Sequence, residues 1–306
     1  MADRLSALDV SFLYLESPTT PMHVGGVAIF DAPESGFDYD ALAELVRRRI
    51  ALVPRYRQKI KFIPGKLGNP VWVDDPAFDV TFHVRRSSLP KPGNEDQLKE
   101  LVARLQSRAL DRTRPLWEMY LIEGLADGRA AILTKTHHAM VDGIAAVDIG
   151  TVILDTSPVP RQTPPDDWSP APEPSAAELV AGSVTNLLRR PGELLNTTRS
   201  NLADVRRVAG RAAALAGGVL AAARTTAKAA PPSPLNVDIG AQRRFGMARS
   251  ELDDYKRIRK THGGTVNDVV LAVVAGALRA WFLTRGEAVK TTIRAMVPVS
   301  VRDESQ

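Results

Sequence analysis

The sequence predicts an α+β protein with mixed β-sheets flanked by helices, divided into two parts. Three observations carry that reading. Strand-like and helix-like stretches are interspersed without regular alternation, which argues against a doubly wound sheet. The chain has 306 residues, enough for two hydrophobic cores. Two proline-rich stretches punctuate it, one at 156–175 with seven of the 22 prolines and one at Pro231-Pro232-Ser233-Pro234. Such runs sustain neither helix nor central strand. They set a first domain at 1–155, an extended linker and helical crossover over 156–235, and a second domain over 236–306.

In the first domain, residues 24–30 form a short β-prone run. Residues 40–50 place Ala41, Leu42, Leu45, Val46 and Ile50 on one helical stripe. Residues 94–110 do the same through Leu98, Leu101, Val102, Leu105 and Ala109, with Asn94 as N-cap. Residues 117–122 and 129–137 are strand-like on either side of the turn-prone Ala126-Asp127-Gly128. Asp142-Gly143 then opens a helix over 144–154, whose Ile144, Val147, Val152 and Leu154 suit burial. In the second domain a strand at 243–247 precedes a helix over 250–262 capped by Ser250, a long apolar helix over 266–283 and a strand at 291–299.

Composition narrows the chemistry. Apolar residues make up 44% and charged residues 25%, the balance of a folded globular chain. With no cysteine, disulfides, thiolate chemistry and Cys-ligated metal centres are excluded. No run reaches the 18–20 or so uninterrupted apolar residues of a membrane span. The N-terminus, with Asp3, Asp9 and Glu16, lacks the order of a signal peptide, so a soluble or peripheral protein is expected. The net charge of +5 is concentrated at 176–230, where seven Arg and Lys228 face Glu178, Glu193 and Asp204. That segment has no aromatic residue, which argues against nucleic acid as a partner. It reads either as a contact for an anionic membrane surface or as a solvated helical connector.

The informative stretch is Thr136-His137-His138-Ala139-Met140-Val141-Asp142-Gly143. An imidazole takes up and returns a proton near neutral pH. Adjacent residues on a strand point to opposite faces, so one histidine is a catalytic candidate and the other structural. Asp142 sits across a tight turn, where its carboxylate would hold the turn and aim the ring; Gly143 suits a close approach. The pair lacks the His-x₃-His spacing of a helical metal site, and no metal is expected. No serine or cysteine sits in a nucleophile elbow nearby. His23, His83 and His262 read as structural or surface residues.

His137-His138-Ala139-Met140-Val141-Asp142-Gly143 resembles the signature of bacterial wax ester synthase/diacylglycerol acyltransferases, within the CoA-dependent acyltransferase superfamily. Four further stretches agree in order: the opening LSALDVSFLYLES with Thr20-Pro21-Met22-His23-Val24-Gly25, then Pro115-Leu116-Trp117, then the Asn267-Asp268 helix motif within 265–272, and finally 297–302. The resemblance implies a two-lobed fold whose second lobe is incomplete here, because family members continue beyond 302. It implies transfer of a fatty acyl group from acyl-CoA, a co-substrate rather than a bound cofactor, to diacylglycerol or a long-chain alcohol. His138 would be the general base, His137 and Asp142 would organise the turn, and Gly143 would leave room for the thioester. Asn267 and Asp268 would reach the substrates from the second lobe, with Asn267 as an oxyanion donor. Asn267 as helix N-cap and Asp268 as a dipole partner are the plain structural readings. Leu116 and Trp117 would line the substrate tunnel or the core. The implied setting is the cytoplasm, peripheral on the inner membrane or a lipid droplet, with a separate chain as one source of the remaining second lobe. Two other functions stand beside this one: a non-catalytic acyl-lipid or membrane-binding remnant, and an amide-forming condensation enzyme.

Overall fold

A computed structural model describes residues 3–31, 36–141, 149–155, 157, 159, 161–163, 165–189, 233–235, 237–287, 292, 293 and 295, without side chains at 66, 141, 151, 184 and 186–189. The chain divides into two compact units, Met1–Ala222 with Ile239–Phe245, and Ala223–Asp238 with Gly246–Gln306. In chain order the first unit carries β1 (Asp3–Arg4), α1 (Ala7–Leu15), β2 (His23–Phe30), α2 (Tyr39–Arg49), β3 (Gln58–Lys61), β4 (Val71–Asp74), α3 (Val80–His83) and β5 (Val84–Ser88). It continues with α4 (Glu95–Gln106), β6 (Trp117–Glu123), β7 (Ala130–His137), α5 (His138–Val141), α6 (Ile149–Ile153) and α7 (Ala176–Arg189). The second unit carries α8 (Leu252–His262) and α9 (Val266–Thr284).

The main sheet has the order β2-β7-β6-β5, and β1-β4-β3 forms a smaller one. β7 runs antiparallel to both β2 and β6, while β5 runs parallel to β6, so the expected mixed sheet is present. Helix starts follow their side-chain caps. Ser6 and Asp9 exchange hydrogen bonds of 3.1 Å to begin α1, and Asn94 and Gln97 exchange bonds of 2.9 Å to begin α4. The helix expected to reach residue 110 stops at Gln106, because buried Lys135 donates from Nζ to the carbonyls of Leu105 (3.2 Å) and Arg108 and so closes the last turn.

Gly25 lies beside that helix end. A Cβ there would stand 2.7 Å from the backbone oxygen of Thr134 and closer still to the Gln106 amide, so only hydrogen fits. On the other face, Leu116, Trp117 and Met119 are buried with Val46, Ile50, Tyr56 and Val84 in the principal core. The Trp117 indole donates to the Tyr56 carbonyl at 2.8 Å and stacks on His83 at 4.6 Å.

The described residues of the proline-rich stretch form neither helix nor strand up to 175, and several of them are fastened to the small sheet. Buried Arg57 pairs with Asp166 and lies 4.8 Å over the Trp168 ring, which meets Phe78 edge-on. Further along, Ala171 N–H donates to Asp74 at 3.0 Å, and Glu173 pairs with Lys61 at 2.7 Å and Lys59 at 3.6 Å. These contacts carry the chain to α7, whose Leu179 joins Ile63, Val71 and Val73 in a second small core. The basic segment beyond residue 189 lies outside the described residues, as do the positions expected to start a helix at 144 and most of the strand expected at 291–299.

Two further sequence expectations, between residues 243 and 251, differ from the structure. Residues 243–247 form no strand: the Arg243 guanidinium, bonded to the carbonyls of Thr19, Gly240 and Gln242, holds the segment instead of a ladder. Ser250 does not cap α8; its hydroxyl bonds Tyr255, and Glu251 occupies the cap position with no side-chain bond. In the second unit, α9 leaves Val270, Leu271, Val273, Val274, Trp281 and Leu283 exposed. By length and composition α9 could cross a bilayer, although Asp268 and Arg279 break its apolar run.

Replacing Trp168 with Ala removes the ring between Arg57 and Phe78. Limited proteolysis is expected to cut 161–175 several times faster in that variant, at an unchanged thermal midpoint, because local opening of the strap costs less than global unfolding.

Candidate active site

The two histidines occupy a junction. His137 is the last residue of β7, and His138 is the first of α5. The backbone switches from strand to helix between them, so the two are not neighbours on one regular strand, and their rings meet different partners. His137 is fully buried. Its N–H donates to the Leu116 carbonyl at 3.0 Å, and its Nδ1 accepts the Ala139 N–H at 3.0 Å. A neutral ring that accepts at Nδ1 carries its proton on Nε2. That atom faces Glu16 Oε2 at 3.8 Å, longer than a hydrogen bond, and has no closer partner.

His138 is half-buried. Its backbone N–H donates to the Met22 carbonyl at 2.9 Å, and its ring stacks on Phe12 with centroids 4.8 Å apart and planes 20° from parallel. Among the described residues nothing bonds its ring nitrogens. An imidazole held by its backbone and one ring face, with free nitrogens and partial access to solvent, is placed to exchange a proton with a bound hydroxyl.

Beneath the junction lies a charged cluster that the sequence reading did not single out. Glu16, just past α1, has a side chain only 7% exposed. It accepts from Arg112 Nε at 2.7 Å and from the Met22 N–H at 3.2 Å. Burial pushes its carboxyl up, but the nearby His137 ring, the hydrogen bonds from Arg112 and Met22 and the guanidinium charge prevail, bringing its pKa down to about 2. Arg112 also donates to the Leu13 carbonyl at 2.7 Å. Across β2, His23 lies opposite His137 in the ladder and bonds the Gln106 carbonyl through Nε2 at 3.0 Å. Burial, with help from the Lys135 charge, lowers the His23 pKa to about 4, so the ring is neutral. His23 also lines a small cleft of about 220 Å³ with Pro21, Ala103, Gln106, Arg243, Arg244 and Phe245.

The structure brings His137, His138, Leu116 and Trp117 together. Leu116 and Trp117 are fully buried, and they act through backbone and packing: Leu116 holds His137, and Trp117 holds His83 through a 2.8 Å bond to its carbonyl. Asp142 and Gly143 lie outside the described residues. Asn267 and Asp268 belong to the second unit, where both are exposed. Thr265, not Asn267, is the N-cap of α9; Asp268 completes a capping box by accepting the Thr265 N–H at 2.7 Å, which also lowers its pKa. His83 is buried and His262 exposed, as structural and surface residues. Among the described residues no three His, Asp or Glu side chains are grouped to hold a metal ion.

Comparison with known proteins places this geometry in context. Residues 5–270 match the family model of the wax ester synthase/diacylglycerol acyltransferase catalytic domain. The "Probable diacyglycerol O-acyltransferase tgs3" of Mycobacterium tuberculosis is 46% identical over 260 residues, covering 85% of this chain and 96% of that protein. The "Probable diacyglycerol O-acyltransferase tgs2" of the same species is 37% identical over 314 residues, covering 99% of this chain and 65% of that one. The structure of a wax ester synthase/diacylglycerol acyltransferase from Marinobacter aquaeolei VT8 superposes with a TM-score of 0.61 at 31% identity, over 93% of this chain and 62% of that chain. The chain thus spans nearly all of one relative and under two thirds of the other two.

Two outcomes follow from this geometry. Trp117→Phe leaves the Tyr56 carbonyl without its buried donor, and urea unfolding is expected to show a loss of about 1–3 kcal/mol. His23 protonates near pH 4 in the folded protein, against about 6.5 for an unperturbed imidazole. Its contribution is complete above about pH 6.5 and is lost as pH falls towards 4. The denaturation midpoint of the native protein is therefore expected to fall over that window, and His23→Asn to flatten the slope.

Proposed function

We propose, for a chain that belongs to the wax ester synthase/diacylglycerol acyltransferase catalytic-domain family, that it transfers a fatty acyl group from acyl-CoA to the hydroxyl of diacylglycerol or a long-chain alcohol with His138 as general base. The observation that carries this reading is the His138 ring itself: half-buried, stacked on Phe12, and free at its nitrogens among the described residues.

In this mechanism the imidazole takes the proton of the acceptor hydroxyl as its oxygen attacks the thioester carbonyl. The tetrahedral intermediate collapses with cleavage of the carbon–sulfur bond. The imidazolium then gives its proton to the departing CoA thiolate, which leaves ester, free thiol and a neutral base. Direct transfer needs no acyl-enzyme, in keeping with a junction that presents no serine or cysteine nucleophile. His137, sealed in the sheet and accepting the Ala139 N–H, keeps the base in register rather than touching substrate. The half-buried position suits a proton acceptor, since partial removal from water strengthens interactions with the developing charge.

The partner surface follows from charge. The excess of eight basic over three acidic residues at 176–230 supports peripheral contact with an anionic membrane or lipid droplet on the cytoplasmic side, where a lipid acceptor would be met.

Palmitoyl-CoA and a dioleoylglycerol or hexadecanol acceptor, with thiol release followed by absorbance, test the reaction. His138→Ala is expected to lower the rate by about 10²–10⁴-fold with an unchanged circular dichroism spectrum. Equal rates in both proteins would remove His138 from the chemistry, and no release from either would favour an acyl-lipid-binding role. Co-sedimentation with anionic vesicles is expected to weaken as salt rises from 0.05 to 0.5 M or so, as the screening length shortens.

A further inference from the structure

We propose that Glu16 is a positioning residue for the acyl transfer, a single buried carboxylate that sets the orientation of His138 through three separate links; the inference rests on His138 acting as the base. The first link runs through the backbone. Glu16 Oε1 accepts the Met22 N–H at 3.2 Å, and the Met22 carbonyl accepts the His138 N–H at 2.9 Å. The second runs through the neighbouring ring: Glu16 Oε2 lies 3.8 Å from His137 Nε2, while His137 Nδ1 accepts the N–H of Ala139, the residue after the base. A carboxylate on the Nε2 side favours the tautomer in which Nδ1 is the acceptor, and so favours the bond that starts α5.

The third link is α1 itself. Phe12 precedes Glu16 by four residues, so the two side chains share a helix face. Phe12 packs flat on His138 while Glu16 engages His137, and the Glu16 N–H donates to the Phe12 carbonyl at 3.1 Å. Arg112 fastens the end of this helix, bonding the Leu13 carbonyl and the Glu16 carboxylate with one guanidinium. The helix therefore grips both histidines at once, and the anionic form of Glu16 holds the grip. Its pKa of about 2 keeps that form in place at any working pH.

Geometry of this kind acts on turnover. A shift of about 1 Å in a catalytic group costs roughly 10²-fold in rate, while substrate contacts elsewhere are unaffected. Loss of Glu16 is thus expected to lower kcat and leave KM alone. Glu16→Gln keeps an oxygen for the Met22 N–H and gives up the charge toward Arg112 and His137. Phe12→Leu keeps the helix buried and removes only the stacked ring.

The experiment measures kcat and KM for palmitoyl-CoA in the full chain for Glu16→Ala, Glu16→Gln, Phe12→Leu, His138→Ala and the Glu16→Ala/His138→Ala pair, with the folded fraction measured in each. Expected are a kcat reduction of about 30–100-fold for Glu16→Ala, about tenfold for Glu16→Gln and Phe12→Leu, KM within about twofold, and a double variant no slower than His138→Ala alone. If Glu16→Ala does not fold, Glu16→Gln and Phe12→Leu decide by the same criteria. Native kcat in the folded Glu16 variants overturns the inference, as does a loss that tracks the folded fraction or multiplies fully in the double variant. A His138→Ala protein with native kcat overturns the base assignment instead, and so separates the two failures.

Discussion

The hydrogen bond from the Ala139 N–H to Nδ1 of His137 is the constraint on which the site depends. It forms where β7 stops and α5 begins, so a ring belonging to the strand satisfies one of the helix's first N–H groups. The ring can serve this purpose only while Nδ1 is unprotonated, which requires a defined tautomer in a fully buried place. The Leu116 carbonyl anchors the same residue by its backbone. One histidine is thus consumed by structure so that the next can stand at a helix start with its nitrogens unbonded among the described residues.

Around that bond the first unit divides its labour by face. One face of the main sheet is apolar, with Trp117 at its centre held on both sides by Tyr56 and His83. The opposite face carries charge that is buried and answered: Lys135 against Glu118 and the carbonyls ending α4, and Glu16 against Arg112. Buried charges of this kind are costly when unpaired, so they specify arrangement more than they add stability. The strap of 161–175 uses the same chemistry on the small sheet, with Asp166 and Glu173 as its fastenings.

Much of the fold was legible in local pattern. The stripes of α2 and α4, the cap at Asn94 and the strands β2, β6 and β7 followed from spacing and side-chain type, because local physics alone decides them. The signal for α1 was also present in the Ser6-x-x-Asp9 capping box, but its short apolar run hid it. The strands β3, β4 and β5 are four or five residues long and carry charged side chains, so their identity comes from partners far along the chain. The same holds for the site. His137 and His138 were visible as a motif, whereas Glu16 and Arg112 are 96 residues apart and mean nothing until the sheet brings them together. Leu116 and Trp117 stood out as a motif as well, and folding shows how they act: from inside the core, through a carbonyl and a packed ring.

Gly25 shows how narrowly the remaining freedom is set. The Thr134 backbone oxygen stands where its side chain would begin, and the end of α4 rests immediately above. His23 and Lys135 both take hold of carbonyls at that helix end, one from each of two neighbouring strands. A methyl group at position 25 would meet the Thr134 oxygen of the neighbouring strand and the Gln106 side-chain amide, so that the strand pairing and that amide would both have to give way. A bare hydrogen at this place therefore sets the clearance between two strands and the foot of a helix, two places from the histidine that fastens that foot.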